Sequence, residues 1–173
     1  IYDERYSEEG ICEKEVLSRA SAAGVTRILI PCDSVDSSKA SLEYLERNLS
    51  KTDIELYTSV GVHPHEASSY TDDTCDYIIK TYSSGLLSDR VLAIGEIGLD
   101  YHYDFSPREV QREVFSKQLE IAIELQAPII LHEREATGDC LDILRKYALK
   151  EHFAYEIVGV CHCCSCSVEA SQE

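Results

Sequence analysis

The chain has 173 residues, 44% of them hydrophobic, which is enough for one domain to bury a substantial core. Its 32 Asp and Glu against 16 Lys and Arg give a formal charge of −16. That balance excludes loose electrostatic binding to nucleic acid, though not an enzyme whose metal ions neutralise phosphate locally.

No apolar run approaches the roughly 18 residues of a membrane span, so no membrane segment is expected. Of the eight cysteines, four crowd into residues 161–166. The others, Cys12, Cys32, Cys75 and Cys140, are scattered among ordinary elements. That distribution fits a reducing, cytoplasmic setting better than a disulfide scaffold.

In chain order, residues 13–23 read as a helix closed by Gly24, and residues 25–31 as a buried strand. Residues 36–49 are helical, with Ala40, Leu42, Leu45 and Leu49 as the apolar positions. Residues 54–62 form the next strand and run into Gly61-Val62-His63-Pro64-His65. Residues 72–82 are a helix, broken by Gly85. Residues 91–97 are a strand. Pro107 opens a long helix over 108–125. Residues 128–132 are a strand, 137–149 a helix and 156–162 a strand. A further helix is expected from Val168.

Five short apolar strands alternating with helices imply parallel βαβ units with helices covering the sheet. In such folds the sites collect at the carboxyl ends of the strands. His63 and His65 follow the second strand, Glu96 ends the third, His132 the fourth and His162 the fifth. Any one histidine is more often a satisfied core or surface residue than a ligand. Four positions in phase with the strands are harder to assign to chance. Imidazole nitrogen with carboxylate oxygen suits a divalent ion such as zinc, manganese or magnesium.

Glu96 stands between Gly95 and Gly98 at the end of an apolar run. A carboxylate there is costly unless it is paired, with a metal ion or with backbone amides or an Arg. The glycines would let the backbone approach a ligand closely.

GVHPHEA at 61–67, AIGEIGLDY at 93–101, the Gln111 to Gln118 stretch of the long helix, PIILHEREA at 128–136 and GVCHCCS at 159–165 resemble the TatD family of metal-dependent hydrolases. The motifs follow the family's order over nearly the whole chain. The resemblance implies a TIM-type (β/α) barrel and a metal-dependent deoxyribonuclease. Two divalent ions would be bridged by Glu96, with His132 and His162 as further ligands. It implies for His63 a substrate-contacting or supporting place beside the site. Arg134 would either face the phosphate with its guanidinium fork or form a salt bridge at a helix start. Asp100 would orient a ligand or remain a loop carboxylate. The implied partner is DNA, single-stranded or at an exposed 3′ end; no protein partner is implied.

Three departures qualify this. The family's first strand carries an HxH pair, which has no counterpart before Tyr2, and its last metal-site aspartate falls beyond the fifth strand. The expectation is therefore a single truncated domain over 1–173, about five of eight strand–helix units, itself with little or no nuclease activity. Third, HCFSGS in the family reads His162-Cys163-Cys164-Ser165-Cys166-Ser167 here. The overlapping CxxC spacings suggest a zinc knuckle, a redox pair or incidental substitution; no second Cys pair completes a four-ligand zinc site. Two other functions stay open: an amidohydrolase-like barrel acting on a small molecule, and a non-catalytic fragment.

Overall fold

A computed structural model describes residues 10, 12–148, 159–162, 166–169 and 172. Five parallel strands form one sheet in the order β1-β2-β3-β4-β5, and the chain never skips a neighbour. The strands are β1 (Arg27–Ile30), β2 (Glu55–Val60), β3 (Val91–Asp100), β4 (Ile129–Arg134) and β5 (Gly159–His162). The connections contain α2 (Val35–Asn48), α3 (Asp72–Ser84), α4 (Arg108–Glu124) and α5 (Thr137–Ala148), and α1 (Glu13–Ala22) precedes β1. Parallel neighbours joined by helices require the crossover βαβ connection. The result is a half-barrel of β/α units.

The sheet curls, and polar groups inside the curl show it. The Ser59 hydroxyl donates to the Gly95 carbonyl at 2.6 Å and accepts the Cys32 N–H at 3.1 Å. The Glu96 N–H reaches the Cys32 carbonyl at 2.7 Å, so backbone beyond β1 meets β3 across β2.

Burial follows position in the sheet. In β3 every residue except Leu92 is buried, whereas all four residues of β5 are exposed. Val60, Ile94, Ile97, Leu99, Phe115, Leu119 and Ile129 belong to one core cluster. Leu17, Tyr44, Leu45, Ile54 and Leu56 form a second between α1, α2 and the first two strands.

Several expectations need adjustment. In α2 the buried residues are Ser38, Ser41, Tyr44 and Leu45, and Leu49 is exposed. The serines are buried because their hydroxyls are satisfied: Ser38 donates to the Ser34 carbonyl at 2.8 Å, and Ser41 to the Thr58 hydroxyl at 2.7 Å. Strand β3 runs three residues past its expected end, to Asp100. Of the helix expected from Val168, Val168 and Glu169 form a turn and Gln172 is in 3-10 conformation, and the remaining positions lie outside the described residues. Residues 64–69 and 88–90, not assigned from sequence, are short 3-10 helices.

The glycines of β3 serve the sheet more than a ligand. A Cβ on Gly95 would lie 2.7 Å from the Ile130 Cβ, and one on Gly98 would collide with the His132 backbone. Both have positive φ, 157° and 144°, where a side chain is also strained. β3 and β4 therefore approach closely only because these residues have no side chain.

Candidate metal centre

Strand register positions the central carboxylate. Gly95 pairs with Ile130 and Ile97 with Leu131, so the ladder skips Glu96. A bulge of this kind releases one residue from the pleat and re-aims its side chain. Glu96 thereby turns into the curl of the sheet, where it is buried. It lies within the strand, four residues before its end, rather than at its terminus.

Three histidines converge on Glu96. The Nδ1 of His132 lies 2.8 Å from Glu96 Oε1, and the Nδ1 of His162 lies 3.0 Å from the same oxygen. The Nε2 of His63 is 4.0 Å away. His63, Glu96 and His132 present donor atoms all within 4.8 Å of one another. His132 pairs with Gly98 and with His162 in the ladders of β3 and β4, which explains why side chains from three strands meet at one level.

Asp100 completes the arrangement. It is fully buried at the end of β3 and is not a loop carboxylate. Its Oδ2 accepts from His65 Nε2 at 2.9 Å and from His132 Nε2 at 3.1 Å. Its Oδ1 accepts the N–H groups of His102 and Tyr103, each at 3.0 Å. Four donors thus hold one carboxylate.

The electrostatics follow from these contacts. Burial alone would raise the Glu96 carboxyl; hydrogen bonds from His132 and His162 and the field of His63 hold it at about 2. Burial opposes ionisation of Asp100 too, yet the Tyr103 N–H, His65 and His132 bring it to about 2. Burial disfavours the His132 cation, but Glu96 and Asp100 outweigh that and raise its pKa above the usual 6.5. Burial and the neighbouring His132 push His63 down to about 4.

The donor set fits a divalent ion. The donor atoms that lie within 4.8 Å of one another are those of His63, Glu96 and His132, and His162 brings its Nδ1 to the same Glu96 oxygen. His132 directs its other nitrogen at Asp100, the outer carboxylate contact that commonly orients a metal-binding imidazole. His63 is placed differently. Its Nδ1 accepts the His65 N–H at 3.2 Å, which puts its proton on Nε2 and makes it a donor toward the cluster.

Arg134 is half-buried and stands outside this cluster, its guanidinium 4.7 Å from the centre of the Tyr103 ring. The alternative salt bridge has no partner among the described residues. Of the CxxC segment, Cys163, Cys164 and Ser165 lie outside the described residues. Cys12, Cys32, Cys75 and Cys140 form no disulfide.

Sequence reasoning left three contributors without a role. His65 bonds Asp100; the HxH-like spacing of His63 and His65 was the available signal. Gln118 accepts the Val62 N–H at 2.7 Å and donates to the Val62 carbonyl at 2.9 Å, pinning the loop that carries His63. Gln111 accepts the Asp100 N–H at 2.9 Å and donates to the carbonyls of Asp100 and Ser106. Two polar residues on the buried face of an otherwise amphipathic α4 were the sign.

A parallel β/α half-barrel with histidine and carboxylate side chains inside its carboxyl end defines the barrel class of metal-dependent hydrolases. The sequence model of the family described as TatD related DNase matches residues 1–173. The chain is 37% identical over 160 residues to an uncharacterized metal-dependent hydrolase, YabD, of Bacillus subtilis, covering 92% of this chain and 57% of the relative. It is 39% identical over 140 residues to the deoxyribonuclease Tat-D of Schizosaccharomyces pombe, covering 76% and 43%. Among solved structures, a TatD family hydrolase from Entamoeba histolytica superposes with a TM-score of 0.77 at 26% identity, covering 92% of this chain and 52% of that one. The TatD homologue YJJV of Escherichia coli gives 0.76 at 28%, covering 92% and 57%. The chain belongs to the TatD-related DNase family, and it spans about half the length of the curated relatives it matches.

Proposed function

We propose that this site hydrolyses phosphodiester bonds of DNA with divalent ions as cofactors. The observation that carries the reading is the convergence of His132 and His162 on one oxygen of Glu96, with His63 beside it and Asp100 behind His132. Support comes from relatives named as deoxyribonucleases or metal-dependent hydrolases. Glu96, His132 and His162 would hold the metal. A bound divalent ion would supply Lewis acidity toward the phosphate and acidify coordinated water.

The chain's own residues do the rest. Asp100 fixes the ring of His132 through Nε2, so its Nδ1 faces the site. His63, neutral at pH 7 with its proton on Nε2, donates toward an oxygen of a bound phosphate. Glu96 is ionised throughout the physiological range, so its carboxylate needs no proton removed before it binds a cation. Magnesium, manganese and zinc all suit this oxygen and nitrogen set, and two ions are what the family resemblance implies. The scattered cysteines of the sequence are the ground for a cytoplasmic setting, and among the described residues no helix is long and apolar enough to cross a membrane.

The described residues alone supply few donors for a second ion, so residues 1–173 should cleave slowly. The test uses the chain in large excess over an end-labelled single-stranded oligonucleotide, with each metal in turn. Slow nucleotide release that disappears with chelator and in Glu96→Gln is expected. Equal release by both chains removes Glu96 from the reaction. Metal-dependent hydrolysis of a small cyclic amide or lactone without any DNA cleavage would favour the amidohydrolase-like alternative.

A further inference from the structure

Two exposed aromatic rings stand beside the metal centre. Tyr103 is 47% exposed and Phe105 is 68% exposed. Their rings lie nearly parallel, 10° apart, with centres separated by 5.3 Å. The His65 ring stands steeply to both, its centre 5.6 Å from that of Tyr103 and 4.8 Å from that of Phe105. Through Asp100 the same His65 is one carboxylate away from His132. Arg134 covers part of the Tyr103 ring.

The loop that carries these rings is anchored by buried groups. Asp100 accepts the N–H of Tyr103. The Ser106 hydroxyl donates to the His65 carbonyl at 2.9 Å and accepts the Ser68 N–H at 3.1 Å, and Gln111 donates to the Ser106 carbonyl. Arg108 forks onto Asp104 at 2.7 and 2.8 Å and reaches the Tyr101 carbonyl. An exposed phenylalanine on a loop tied down on both sides of it is held in place with most of its surface open to solvent. Pre-ordering lowers the entropic penalty of a ligand that stacks on it.

Charge narrows the ligand. With a formal charge of −16, the chain attracts no polyanion at long range. Among the described cations near the site, Arg108 is committed to Asp104 and Arg134 to the Tyr103 face. A single-stranded nucleic acid must therefore be held by contacts other than phosphate neutralisation. Stacking on aromatic rings supplies such contacts and tolerates every base, because each has a π-face. A base within a duplex has both faces covered by its neighbours, so only an unpaired or terminal base can use the ring.

We propose that Phe105, supported by the parallel Tyr103 ring, is a stacking platform for one unpaired base beside the metal centre. This deepens the nuclease reading and rests on it for the class of ligand. The platform makes the site select frayed or single-stranded ends by the availability of a base face. It also predicts base-tolerant recognition with weak salt dependence, since few phosphates are neutralised.

The test is a titration of the metal-free chain, with chelator present, into an oligothymidylate bearing 2-aminopurine at its 3′ end. Stacking quenches the probe. Quenching is expected for the chain. Phe105→Ala should weaken binding roughly 5- to 150-fold, in line with the loss of one base–aromatic stack, and Phe105→Trp should restore it. A strand ending in an abasic residue should bind the chain and Phe105→Ala equally. Because Phe105 is exposed, its variants should melt with the parent, which separates loss of stacking from loss of fold. No quenching, an unchanged affinity in Phe105→Ala, or equal binding of the abasic and base-bearing strands overturns the platform. Quenching without any metal-dependent cleavage would discard the nuclease reading and leave the platform standing.

Discussion

Asp100 Oδ2 lies 3.1 Å from Nε2 of His132, and this contact decides which nitrogen of His132 faces the cluster. The carboxylate needs no ion to stay in place, because two backbone N–H groups and His65 also hold it. We therefore propose it as a positioning residue rather than a ligand.

Replacing it tests this directly. In Asp100→Asn the amide can still accept the loop N–H groups through its oxygen, but its NH2 opposes the two imidazole donors. We expect metal affinity to fall roughly 10- to 100-fold, the usual loss for a partner one shell behind a ligand. Calorimetric titration with manganese reads the affinity, and circular dichroism checks that the fold survives. Unchanged affinity would show that His132 is oriented by something else.

The two buried glutamines of α4 give a second prediction. Gln118→Met keeps volume and apolar packing but leaves the Val62 N–H and carbonyl without partners. Each stranded group costs about 1–3 kcal/mol. The denaturant midpoint should drop accordingly, and His63 should lose its fixed place. Gln111→Met should act likewise on Asp100 and Ser106. A loss below about 0.5 kcal/mol for either variant, measured by urea unfolding, would mean that water or backbone movement satisfies these groups easily.

The third prediction concerns pH in the presence of chelator. Glu96 and Asp100 are depressed to about 2 from ordinary values of 4.5 and 3.8. Their contribution is present above those ordinary values and is lost as pH falls toward 2. His132 is raised, so its contribution is present below 6.5 and lost as pH rises through its folded value. His63 is lowered to about 4, so it removes stability as pH falls from 6.5 to 4, a window in which the His132 contribution no longer changes. The melting temperature of the metal-free chain should therefore fall from pH 6.5 to 4 as His63 is protonated preferentially in the unfolded chain, and fall further below 4 as the two carboxylates are neutralised. It should also fall above 6.5 as His132 loses its proton. Asp100→Asn should flatten the acid limb. An acid limb identical in the variant would remove Asp100 from the account.

Much of this architecture is legible along the chain. The alternation of apolar runs with helical patterns specifies parallel βαβ units, because parallel neighbours need a crossover and a helix supplies it. Residues at strand ends in such a sheet share one face of the fold, so His132 and His162 fall together once the strands are known. The GEIGLD segment with the LHER segment also carries the family.

Other features are set by pairing between distant residues. That Glu96 drops out of the ladder depends on the register of β3 against β4, where Gly95 and Gly98 admit the neighbouring backbone; composition alone reads the same segment as a regular strand end. Asp100 is a buried hub and not a loop carboxylate because His65, His132 and two loop N–H groups converge on it from separate parts of the chain. The expected apolar stripe of α2 gives way to Ser38 and Ser41 because Ser34 and Thr58 satisfy their hydroxyls. Arg134 turns to the Tyr103 ring, a partner 31 positions back in sequence. Periodicity determines which face of an element is buried. Which buried polar groups find partners, and hence where the site forms, is decided only when the sheet closes around them.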